Sequence, residues 1–205
     1  MKKLLIKILS ISLLWLVRNN LNNAELMDSK GNFIKPFHPD CKSVDLEVVA
    51  IALSRIKRFF GQTNLSVAQH SVNMARVFMH FGNMEYAKQA LLHEISEAFM
   101  GDLASPLKAA FPLFKSIEET LIKKTFSCYG LEYPMAQDVH FLDKQIMIYE
   151  ALAHMPRKEY WLSLTHKEFT DKQIFSFKSI VDLDAWSEEK AFNEFMDTAK
   201  TLKLI

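Results

Sequence analysis

Four side chains able to do chemistry fall within ten residues in the stretch Leu91–Lys108, LLHEISEAFMGDLASPLK: His93, Glu94, Glu97 and Asp102. One imidazole and three carboxylates can ligate a divalent cation or move protons. On a continuous helix His93 and Glu97 stand at i and i+4 and share a face. Their neighbours Leu91, Leu92, Ile95, Ala98 and Phe99 are apolar. Carboxylates in such company are rarely buried unless paired or bound to a metal. The same window also reads as the polar edge of a helix with one core histidine.

Two more candidates stand on other elements. His70 falls in the first turn of a helix that Ser66-Val-Ala-Gln69 opens as a capping box. Asp143 lies in the apolar series Val139, Leu142, Ile146 and Leu152 of a helix expected over about Met135–His154. Three helices thus offer His70, then His93 and Glu94, then Asp143. This nitrogen and oxygen set, with no thiolate, suits Mn²⁺, Co²⁺, Mg²⁺ or Fe²⁺ rather than a closed structural zinc site. Two other metal motifs drop out. HEISE is not H-E-x-x-H, because position 97 is glutamate, and a zinc deaminase needs a C-x-x-C pair that is absent.

The elements that must position these residues read as helices. The chain has 205 residues, enough for one domain with a sizeable core, and its five glycines and supply of Leu, Phe, Ala, Lys and Glu favour helix. A net charge of +1 gives no electrostatic case for a nucleic-acid surface. Asp45 caps a helix expected to run to about Phe60, and Asn83 one over Met84–Phe99 that ends at Gly101. Ser105-Pro106 opens a short helix to Ala110. A helix over about Leu113–Tyr129 stops at Gly130, and Ser187 caps a last one through Leu202. Leu26–Lys42 reads as an irregular arm with a short hairpin at Lys30-Gly31, and Met155–Val181 as a short helix plus loops. Cys41 and Cys128 read as free buried thiols in a reducing, cytoplasmic setting. Met1–Arg18, MKKLLIKILSISLLWLVR, reads as a membrane-associating helix, a signal segment, or residues upstream of a start at Met27. The expected division is an appended segment over 1–26 and an all-α domain over 27–205.

Three segments then carry a family resemblance: SVAQHS at 66–71, ALLHEISEAFMGDLASPLK at 90–108 and FLDKQIMIYEA at 141–151. Their order and spacing, with the preceding ALSRIKRFFGQ, resemble the HD-domain phosphohydrolases, in the bacterial and phage branch that includes the 5′-deoxynucleotidases. The resemblance covers about Gly31–Met155. Its specific element is H-[DE]-x-x-E-A-x-x-G-D-x-x-x-P-x-K.

The resemblance implies an HD-type helical bundle and release of phosphate from a nucleoside, or deoxynucleoside, 5′-monophosphate. It implies that His70, His93, Glu94 and Asp143 hold the metal. Glu97 and Asp102 match acidic residues beside the attacking water, Arg58 a phosphate-contacting arginine, and Lys108 the lysine of the S-P-x-K segment. The plain reading of Lys108 is a solvated lysine, and that of His38, His80, His140, His154 and His166 is surface or structural histidine. The expected partner is a small nucleotide and not nucleic acid. A homodimer, and membrane contact through Met1–Arg18, are compatible with this reading.

Two positions depart from the family pattern. Glu94 stands where the family has aspartate, one methylene longer, so weaker metal binding is expected, with Glu94→Asp raising activity at limiting metal. Gln62 stands where many relatives carry histidine. Two other functions stay open: an impaired HD domain that binds nucleotide or a protein partner, and a membrane-associated helical interaction module.

Overall fold

Caps and turn residues start and stop most of the elements in the computed structural model, which describes residues 23–42, 44–168 and 177–205. The readings of Met1–Arg18 lie outside the described residues. The arm carries β1 (Leu26–Met27) and β2 (Phe33–Ile34), paired antiparallel with Leu26 opposite Ile34. Asp28 closes the turn between them by accepting from the Lys30 and Asn32 N–H groups, both at 2.8 Å.

Helix α1 (Leu46–Arg55) starts at Asp45, whose carboxylate accepts from the Glu47 N–H at 2.9 Å. It ends short of the expected Phe60 because Ile56 is already extended (ψ 126°) and Lys57 bridges to Ser66, and Phe59 (φ 55°) and Phe60 (φ 45°) beyond are left-handed. This turn carries Arg58 into the protein. Helix α2 (Val67–His80) starts at Ser66, whose hydroxyl accepts from the Gln69 N–H at 3.1 Å. The reciprocal half of the expected capping box is absent. The Gln69 amide instead donates to the Asp182 and Asp184 carbonyls and accepts from the Trp186 N–H.

Helix α3 (Met84–Leu92), capped by Asn83, also stops early. Residues 93–96 wind with i→i+3 bonds, Ile95 N–H to the Leu92 carbonyl and Glu97 N–H to the Glu94 carbonyl, before the short α4 (Glu97–Met100). The expected single helix over Met84–Phe99 is therefore two pieces joined by a tighter turn, and His93 and Glu94 sit in that turn. Then follow α5 (Ser105–Ala110), α6 (Pro112–Cys128), α7 (Gln137–His154), α8 (Lys158–Glu168) and α9 (Glu188–Thr201). Gly130, at φ +66°, ends α6, with Leu131 N–H on the Phe126 carbonyl and Gly130 N–H on that of Ser127. The chain is all-α apart from the small hairpin.

Helix α2 is central, packing against α1, α3, α7 and α9. One side buries Leu53, Val72, Leu91, Ile95, Phe126 and Phe195 in the larger cluster. The other buries Met74, Val139, Ile146 and Phe177 in a smaller one. Each such side chain contributes about 1.5–3 kcal/mol on burial. His70 is thus carried on the most enclosed helix and is fully buried.

Cys41 and Cys128 form a disulfide, with Cα atoms 5.4 Å apart, which corrects the reading of free thiols. The arm folds back onto the end of α6, where the Tyr129 hydroxyl donates to the Val44 carbonyl at 2.8 Å. The bridge spans 87 residues of sequence, and closing a loop of that size stabilises the folded state by about 2–4 kcal/mol. Reduction should lower the melting temperature by roughly 4–16 °C; identical melts with and without reductant would mean the thiols are unlinked in solution. Among the described residues, no helix is long and apolar enough to cross a membrane.

Candidate metal centre

The residues singled out on three separate segments converge. His70 comes from α2, His93 and Glu94 from the turn after α3, and Asp143 from α7. One ligand atom of each lies within 4.8 Å of the others. Asp143 Oδ1 is 3.1 Å from His70 Nε2 and 3.8 Å from His93 Nε2, and Glu94 Oε1 is 3.5 Å from His93 Nε2.

The imidazoles are oriented for an ion. His93 Nδ1 lies 2.7 Å from the Ala90 carbonyl, which can only accept, so Nδ1 carries a proton and, in the neutral ring, Nε2 carries the lone pair. That Nε2 is buried and has no hydrogen-bond partner among the described residues. His70 Nδ1 lies 2.8 Å from Glu150 Oε1, so it too donates outward and turns Nε2 toward Asp143. A buried nitrogen without a partner, facing two carboxylates, is costly unless a cation fills the gap. The four residues fit a divalent ion.

The charges agree with this. Burial alone would raise the Asp143 carboxyl, but the His70 hydrogen bond and the closeness of both imidazoles hold it well below the usual carboxylate range. Burial and the Arg58 charge oppose a proton on His70, while Glu150 and Asp143 outweigh them and raise the imidazole to about 9. A metal ion must displace that proton from Nε2.

A cavity of about 370 Å³ adjoins the cluster, and Arg58, Glu94, Glu97, Asp102, Lys108 and Asp143 all line it. Leu103, Met147 and Leu164 form its apolar wall. Glu97 is 2 % exposed; burial first, then the charges of Glu94 and Asp102, raise its carboxyl to about 9 against the pull of Lys108. Lys108 is not a freely solvated lysine: its ammonium is held between Glu97 (3.0 Å) and Glu118 (2.8 Å). Asp102 is fastened from outside, accepting from the Phe60 N–H at 3.3 Å. Arg58 is buried, with Nε 3.1 Å from Glu150 and Nη1 3.5 Å from Glu94. His38, His80, His140 and His154 are exposed and are not among the four converging residues, although His140, one turn before Asp143, feels the charges of Asp143 and His93; Gln62 is exposed, and the His166 side chain lies outside the described residues.

Two contributors escaped the sequence. Glu150 is 1 % exposed and bonds both His70 and Arg58. Its signal was available: it stands seven residues after Asp143 on α7, two turns along the same face. Glu118, the second partner of Lys108, lies on α6 and no spacing marks it.

No family model matches the chain. Over 97 residues, 46% of the chain, it is 35% identical to the uncharacterized protein YfdR of Escherichia coli (strain K12). That match covers 52% of YfdR, so the chain spans about half the length of this curated relative.

Proposed function

We propose that the protein is an HD-type, metal-dependent phosphohydrolase that releases phosphate from nucleoside, including deoxynucleoside, 5′-monophosphates, with the HD-type domain spanning 27–205. The observation that carries this reading is the His93 Nε2 lone pair, buried without a partner beside His70, Glu94 and Asp143. The oxygen-rich set suits Mn²⁺, Co²⁺, Mg²⁺ or Fe²⁺. Such an ion, held by these four residues, would polarise a phosphoryl oxygen and acidify water.

The chain's own groups supply the rest. Glu97, at the cavity wall with Oε2 buried and without a hydrogen-bond partner among the described residues, is the proton-transfer group. Its raised pKa lets it hold a proton near neutrality, and a dication nearby lowers it toward the range where it also accepts one. Asp102, fastened by the Phe60 N–H, orients water beside it. Arg58 and Lys108, both lining the cavity, offset phosphate charge, each kept in place by carboxylates. The Leu103, Met147 and Leu164 wall gives a nucleobase an apolar face.

Glu94 is part of the same design. Its carboxylate oxygen stands 3.5 Å from both His93 Nε2 and Arg58 Nη1. From this placement Glu94→Asp is expected to withdraw the oxygen by about a bond length and weaken ion binding, the opposite of the gain expected from the family's aspartate. Tighter binding in Glu94→Asp, by metal titration, would show instead that glutamate is a handicap.

The compartment turns on Cys41–Cys128. A disulfide persists under oxidising conditions, so Cys41–Cys128 favours an oxidising compartment over the cytoplasmic one expected from free thiols. The test of function is phosphate release from a panel of nucleoside 5′-monophosphates with Mn²⁺ or Co²⁺. The proposal expects turnover that chelator abolishes; no turnover with saturating metal rejects it.

A further inference from the structure

We infer that Glu150 is a positioning residue that sets the ion affinity of the site, an inference that rests on the metal-centre reading above. Glu150 touches neither the ion position nor the substrate cavity. It acts through two groups that do. Its Oε1 takes the His70 Nδ1–H at 2.8 Å and its Oε2 takes the Arg58 Nε–H at 3.1 Å. With Glu150 1 % exposed and the His70 side chain fully buried, water does not substitute for either bond. The carboxylate therefore fixes the His70 ring and its tautomer and makes Nε2 a stronger donor.

The same carboxylate sets where Arg58 stands. The guanidinium is spread between Glu150 behind it and Glu94, one of the four candidate ligands, in front. Glu150 thus holds two sides of the cluster, the imidazole of His70 directly and the carboxylate of Glu94 through Arg58. Its neutral isostere would keep an acceptor for His70. With that one oxygen turned to His70, the amide N–H₂ faces the Arg58 Nε–H, donor against donor, leaving a buried cation with less compensation on the ion's side.

Removing such an outer carboxylate commonly costs ten- to hundredfold in metal affinity. The test is Co²⁺ titration of the full chain, read by visible absorption, for the unsubstituted protein and Glu150→Gln. The expected result is a 10- to 100-fold weaker Kd and an altered Co²⁺ band in Glu150→Gln, which altered packing away from the ion would not produce. Kd within twofold and an unchanged band overturn the inference while leaving the metal centre standing. No Co²⁺ binding by the unsubstituted protein overturns both. Where Glu150→Gln does not fold, Glu150→Asp, which keeps the charge but withdraws it from His70, is titrated instead. Loss of at least tenfold there supports the inference, and unchanged affinity overturns it.

Discussion

Replacing His93 with alanine should remove tight divalent-ion binding and, with it, the proposed phosphohydrolase activity. Loss of a direct imidazole ligand should cost more than the roughly ten- to hundredfold in affinity that loss of an outer partner commonly costs. The structural cost of the change is smaller. His93 makes one hydrogen bond, from Nδ1 to the Ala90 carbonyl, and its Nε2 has none among the described residues. Alanine removes that unpaired nitrogen together with the ring, so part of the packing loss is offset. Metal titration beside a melt in chelator separates the two effects. Ion affinity unchanged in His93→Ala would place the metal elsewhere.

Glu97→Gln should do the reverse, sparing the ion and removing the chemistry. Glutamine keeps an oxygen for Lys108 but cannot exchange a proton, and lost acid–base catalysis costs about 10²–10⁴-fold in rate. Metal affinity should stay within a few-fold; loss of metal would move Glu97 among the ligands. Stability adds an independent sign. A carboxyl raised from 4.5 to about 9 binds more protons folded than unfolded, so this group makes the parent less stable as pH rises from about 5 to 9. In chelator, Glu97→Gln should therefore gain stability over the parent progressively across that window. A constant difference across it would mean that Glu97 titrates normally.

What the sequence could and could not show follows from the range of each interaction. Asp45, Ser66, Asn83 and Ser187 all cap helices where expected, because a cap bonds an N–H two or three residues away. His70, His93, Glu94 and Asp143 were legible as ligand types on separate elements, and their convergence adds the distances. The break after Leu92 was not legible. The apolar pattern of Leu91, Leu92, Ile95 and Ala98 suits one helix, whereas the backbone tightens to i→i+3 bonds at 93–96, a change that side-chain periodicity does not encode. The resemblance offers Arg58 as a phosphate contact, but its pairing with Glu150 joins residues 92 positions apart, beyond any local pattern. The disulfide was hidden for the same reason, since nothing local links Cys41 to Cys128.

The central claim is that His70, His93, Glu94 and Asp143 hold one divalent ion. Anomalous scattering from crystals of the Co²⁺-loaded protein tests it most directly. The account requires one strong peak per chain, about 2.0–2.3 Å from His70 Nε2, His93 Nε2 and oxygens of Glu94 and Asp143. A loaded crystal whose Co²⁺ peak lies away from these four side chains would contradict it.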